Sequence, residues 1–165
     1  MSKIKIPASY LKDPRHFLSL GFGSGLAPKA PGTFGTLAAI PPWLIMQDAG
    51  FWVLVSIIVI GFLVGVYLCE FTSRALGVHD HSGIVWDEFI GFWMTMMAVP
   101  SDCWQWLLIG FLLFRFFDIV KPWPIKLADE KLQGGFGIMI DDVLAAVFAI
   151  GCVVALRSTS WIPCG

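Results

Sequence analysis

The sequence predicts an all-α protein, a polytopic integral membrane helical bundle with about five membrane segments, the first of them short and proline-broken. Three observations predict it. Of 165 residues, 57% are hydrophobic and 14% charged, with a mean hydropathy of +0.77; soluble domains are about 45–50% apolar and about 25% charged. Phe51 to Cys69 reads FWVLVSIIVIGFLVGVYLC, an apolar run without a single charge, and about 20 such residues cross a bilayer. Three of the four remaining apolar runs carry their charges close to one end. A buried helix of a soluble protein would leave most of the Phe51 surface without a partner in so small a chain.

The elements follow in order. Residues 1–20, with Lys3, Lys5, Lys12 and Arg15, form a basic segment. No apolar core with a small-residue cleavage site follows closely, so a cleaved signal peptide is not expected. Gly35 to Met46 is short and contains Pro41-Pro42, which makes this first membrane segment kinked, broken or shallow. Ile84 to Val99 is interrupted only by Asp87 and Glu88 near its start. Trp104 to Val120 is interrupted only by Arg115 and Asp118 near its finish, and Ile138 to Leu156 only by Asp141 and Asp142 near its start. No internal repeat or long linker divides the chain, so 1–165 reads as a single membrane-embedded domain. The four cysteines are scattered without a CxxC pair, and neither a disulfide nor a zinc site is expected. A net charge of −1 gives no sign of a nucleic-acid partner. No feature fixes an oligomeric state.

Lysine and arginine sort the loops. Lys3, Lys5, Lys12, Arg15 and Lys29 precede the first segment, Arg74 follows the second, and Lys121, Lys126 and Lys131 follow the fourth, while 47–50 and 100–103 have none. The positive-inside rule places the basic side in the cytoplasm, which requires five crossings and an external C-terminus.

Asp87-Glu88 and Asp141-Asp142 then start helices leaving the cytoplasm, and Arg115 and Asp118 end one returning to it. The i, i+3 spacing puts Arg115 and Asp118 on nearly one face. Helix-start acids and helix-end bases also suit the macrodipole. Two adjacent acidic pairs just inside apolar helices go beyond that, because ionisable groups in a membrane are costly and mark function. Clustered carboxylate oxygens suit Mg²⁺, a hard cation that completes its shell with water and substrate phosphate. His79 and His81 lack metal-site spacing, and Asp80 between them is a further ligand or a cap. Gly21 to Trp43 is a candidate anion holder: glycines admit backbone N–H groups, Lys29 adds charge, and Thr33 or Thr36 can cap a helix pointing at the site. A Gly/Pro-rich turn explains this stretch equally well, and it is neither a Rossmann nor a Walker sequence.

Three stretches, GFGSGLAPKAPGTFGTLAAIP, GVHDHSGIVWDEFIGFW and FRFFDIVKPWPIKLADEKLQGGFGIMIDDVLA, resemble the bacterial phosphatidylglycerophosphatase A family across most of Gly21 to Ala145. The resemblance implies a Mg²⁺-dependent lipid phosphatase of the inner membrane, whose substrate is the phospholipid phosphatidylglycerophosphate and whose product is phosphatidylglycerol. With the charge asymmetry above, its active site faces the cytoplasm. Asp80, Asp87, Glu88, Asp118, Asp129, Asp141 and Asp142 lie within these stretches and are the candidate metal ligands. Asp87, Glu88, Asp118, Asp141 and Asp142 are the candidate catalytic groups, and Lys29, Thr33, Thr36, Arg115 and Lys121 the candidate phosphate contacts. The resemblance does not separate metal ligand from general base.

Cleavage of a phosphate monoester is mostly positioning and charge stabilisation. Mg²⁺ on the acidic pairs would neutralise phosphoryl oxygens while Arg115, Lys121 or Lys29 clamps them, and one carboxylate would orient or deprotonate the attacking water. Cys152 to Arg157 is one residue short of a cysteine-phosphatase spacing; an aspartyl-phosphate route stays open. The alternative is a small membrane transporter for an ion or phosphate-bearing solute, which would place its acids nearer the midplane.

Overall fold

The computed structural model describes residues 6–100 and 103–159. Among these the regular structure is entirely helical: α1 (Pro14–Ser19), α2 (Pro31–Ala38), α3 (Ile40–Met46), α4 (Phe51–Leu76), α5 (Trp86–Met96), α6 (Trp104–Val120), α7 (Ile125–Lys131) and α8 (Gly134–Ser158), with 3-10 turns at Ala8–Lys12 and Gly21–Leu26. Two helices, α4 with 26 residues and α8 with 25, are long and apolar enough to cross a membrane. The proline-bearing segment divides into α2 and α3 around Ala39, with Pro41 and Pro42 in the first turn of α3, where a missing N–H costs no helical hydrogen bond.

The short α5 is the centre of the bundle. It packs against α2, α4, α6 and α8, and Phe89, Ile90 and Phe92 are wholly enclosed. Its aromatic residues also tie down its neighbours by polar contacts: Trp86 Nε1 donates to the Gly61 carbonyl at 3.0 Å and Trp93 Nε1 to the Ala39 carbonyl at 2.9 Å. Such bonds let an indole be buried without leaving its N–H unpaired. On the other side, Gly91 admits the Phe114 ring of α6 and the Asp142 carbonyl of α8.

The outer surfaces of α4 and α6 are apolar and exposed, with Val59, Ile60 and Leu63 on one and Leu112, Phe116 and Ile119 on the other. Lipid tails suit such faces because the helices satisfy their own backbone groups. Exposed tryptophans mark both ends, Trp52 and Trp104 at the starts of α4 and α6 and Trp123 just beyond the end of α6; this is where interfacial indoles belong. Cys69 and Cys152 are free, as expected. Cys103 is instead disulfide-bonded, contrary to the expectation, because residue spacing does not report which distant segments meet.

α8 approaches α4 tightly at Gly135, where a Cβ would lie 1.9 Å from the Val66 carbonyl oxygen. Gly135→Ala is expected to destabilise the protein by about 1–3 kcal/mol or more, read as a lower thermal midpoint in detergent. Gly151→Ala, which meets nothing within 4 Å on the same helix, should be neutral or raise it by about 0.5–1 kcal/mol.

Candidate functional site

Three helices converge beneath the loop that joins α4 to α5. Asp87 and Glu88 stand in the first turn of α5, Arg115 and Asp118 near the end of α6, and Asp141 and Asp142 two turns into α8. They line a cavity of about 310 Å³, bounded also by Ala30, Pro31 and Gly32 at the start of α2, by Asp80, Ser82 and Ile84 before α5, and by Ile119 and Lys121. Six acidic and two basic side chains line it, a net of −4 with every group ionised.

Asp87, Glu88 and Asp142 each turn a carboxylate oxygen toward a common point, with ligand atoms all within 4.8 Å of one another. The three residues are 9%, 8% and 3% exposed. One oxygen of each, Asp87 Oδ1, Glu88 Oε2 and Asp142 Oδ2, has no hydrogen-bond partner. Uncompensated buried charge of this kind costs several kcal/mol per group, so the cluster fits a cation, and an all-oxygen donor set fits a hard one such as Mg²⁺.

The two bases are held by the remaining acids. The Arg115 guanidinium contacts Asp118 one turn along α6 and lies 3.6 Å from Glu88 Oε1, while its buried Nε is unpartnered. Lys121, in a left-handed conformation (φ 44) at the end of α6, donates to Asp141 Oδ2 at 2.6 Å and to Asp129 Oδ1 at 2.7 Å. Burial opposes its charge, but those two carboxylates outweigh burial and hold the ammonium protonated well above the ordinary lysine range. Gly32 lets α2 close over this network, since a Cβ there would lie 2.2 Å from Glu88 Oε1.

Of the expected residues, the cavity gathers Asp80, Asp87, Glu88, Asp118, Asp141, Asp142, Arg115 and Lys121. Asp129 joins only through Lys121. Lys29, Thr33 and Thr36 are not part of the lining. Pro31, with its preset φ, starts α2 ahead of both threonines, so neither caps it, and the buried Thr36 hydroxyl donates to the Gly32 carbonyl at 2.9 Å. The glycine run serves packing: a Cβ on Gly25 would lie 2.0 Å from the Gly83 carbonyl oxygen. Sequence reasoning missed Gly32 and the pair that anchors the start of α8. Gly134 N–H donates to His79 Nε2 at 2.8 Å and Gly135 N–H to Glu70 Oε2 at 2.6 Å. The glycines Gly134-Gly135 at a helix start were the available signal.

Residues 17–157 match the family described as Phosphatidylglycerophosphatase A. The chain is 53% identical to Phosphatidylglycerophosphatase A of Escherichia coli strain K12 over 142 residues, covering 86% of this chain and 82% of the relative. It is 51% identical to Phosphatidylglycerophosphatase A of Haemophilus influenzae over 148 residues, covering 89% and 91%. No solved structure matches the chain.

In chelator-treated protein, Asp142→Asn removes one of three crowded buried charges and is expected to raise the thermal midpoint in detergent by about 2–4 °C, equivalent to about 1 kcal/mol at this chain length. Adding Mg²⁺ should stabilise the parent and leave the variant unmoved.

Proposed function

The chain belongs to the phosphatidylglycerophosphatase A family and is a phosphatase, and from that premise we propose how its own residues remove the terminal phosphate of phosphatidylglycerophosphate to leave phosphatidylglycerol. The observation that carries the mechanism is the trio of unpartnered buried oxygens on Asp87, Glu88 and Asp142. These three would hold Mg²⁺, which when bound supplies the positive charge that offsets the phosphoryl oxygens. Arg115 offers its unpartnered Nε to a phosphate oxygen, with Asp118 and Glu88 fixing the plane of the guanidinium. Lys121 brings a second fixed positive charge, held in place by Asp141 and Asp129. Asp80, exposed at the rim, would orient the attacking water or take its proton. The water oxygen bonds to phosphorus as Asp80 takes its proton, the ester P–O bond breaks, and the leaving oxygen takes up a proton, from Asp80 or from water, to become the free hydroxyl of the lipid glycerol.

The orientation proposed is five crossings of the inner membrane, with a cytoplasmic N-terminus, an external C-terminus and the cavity at the cytoplasmic side. The loop charges support it. So does Cys103, whose disulfide lies at the end away from the acids, since disulfides persist on the oxidising side. A transporter is not favoured: the acids gather where one set of helix ends meets, and the relatives are named as phosphatases.

The direct test is phosphate release from phosphatidylglycerophosphate by the purified protein. Release is expected with Mg²⁺ and not with EDTA. Arg115→Lys should lower kcat/KM by about a hundredfold, the size of loss seen when one oriented transition-state donor is removed. No release by the parent with Mg²⁺ would contradict the reading. For the orientation, reporter fusions after Lys131 and after Gly165 are expected to sit on opposite sides of the membrane; the same side for both would refute five crossings.

A further inference from the structure

A diacyl lipid must bring its phosphate to groups set inside the end of the bundle. At 1.5 Å per helical residue, Asp118 and Arg115 lie about 3 and 8 Å inside the end of α6, and Trp123 beyond that end is 79% exposed, at interfacial level. The rim of the cavity is of two kinds. Its charged members include Asp80 and Lys121, the lysine paired with Asp129. Its apolar members include Pro31, in the first turn of α2, and Ile119, in the last turn of α6.

Each apolar rim residue begins a stripe. Phe34, one turn beyond Pro31 on the same face of α2, is 50% exposed; Phe116 and Leu112, one and two turns from Ile119 along α6, are 56% and 55% exposed. Both helices lie against α5. Gly32 sits by Glu88 and Arg115, and the Ala39 carbonyl receives Trp93. On the α6 side Phe111 meets Phe92 and Phe114 meets Gly91. Both stripes therefore run from the cavity along α5 toward the C-terminal end of that helix.

We propose that the gap between the first turn of α2 and the last turn of α6 is a lateral docking site for the acyl chains of a glycerolipid. The lipid stays in the leaflet with its chains along Phe34 and along Phe116 and Leu112, and only its phosphate turns inward to the acids. Released phosphate leaves past Asp80 and Lys121 to water. The occupant follows from continuity: the stripes begin at residues that line the catalytic cavity, and an approach from water would pull acyl methylenes out of the bilayer. The proposal rests on the phosphatase reading and names how that site takes its lipid.

The test compares two substrates with one headgroup, long-chain phosphatidylglycerophosphate in phosphatidylcholine vesicles and its monomeric dihexanoyl form. In Phe34→Asp and in Phe116→Asp, the ratio of kcat/KM for the long-chain over the short-chain substrate is expected to fall at least tenfold. Phe34→Ser and Phe116→Ser, milder changes, should lower the ratio in the same sense. Val59→Asp, at a similarly exposed site on α4 (51%), should leave the ratio within twofold of the parent. Equal losses on both substrates, an unchanged ratio, or the same fall in Val59→Asp would overturn the lateral site. Failure of the parent to release phosphate from either substrate would instead overturn the phosphatase reading beneath it.

Discussion

Six carboxylates crowd one cavity with only two cations among them, and the packing of α2, α5, α6 and α8 follows from containing that charge. Several of these acids have a specific fixed partner. Asp118 and Glu88 flank Arg115, and Asp141 shares Lys121 with Asp129. Asp87, Glu88 and Asp142 converge, and each keeps one oxygen without a partner. Neutralising part of a buried cluster with side chains while leaving a defined remainder concentrates the unmet charge at one place, where a ligand rather than the protein must offset it.

Holding those groups in register is the task of small residues. Gly32, Gly91 and Gly135 each stand where a neighbouring helix leaves no room for a Cβ. Without them α2 could not close over Glu88, α5 could not meet both α6 and α8, and α8 could not approach α4. In a bundle whose outer faces give lipid-like surroundings, hydrophobicity does little to choose helix partners, and close van der Waals contact decides. The same contacts that stabilise the bundle therefore aim the acids.

The position of the site makes sense for a membrane enzyme acting on a headgroup. The acids lie toward one end of α5, α6 and α8, and they line a cavity that a lipid phosphate can enter. Burial of Asp87, Glu88, Asp141 and Asp142 strengthens charge contacts made among them, as it does for any ionic group set back from water. The stability forgone in burying like charges is the usual cost of such a site.

By itself the sequence determined the all-helical class and the two long apolar helices, α4 and α8, because apolar run length and the 3.6-residue period are local properties; of the five membrane segments it predicts, only these two are long and apolar enough to cross a membrane among the described residues. It also determined that Arg115 and Asp118 share a face, and that two acidic pairs sit just inside apolar helices. Only the tertiary structure decided which of these groups meet. Asp142 with Asp87 and Glu88, Lys121 with Asp141 and Asp129, and Gly25 with Gly83 are contacts between distant parts of the chain. Thr33, Thr36 and Lys29 looked suited to an anion by residue type, yet α2 starts at Pro31 and places all three outside the cavity lining. Residue type and spacing state what a side chain can do; whether it faces the cavity depends on helix rotation and close approach, which are set by packing across the whole bundle.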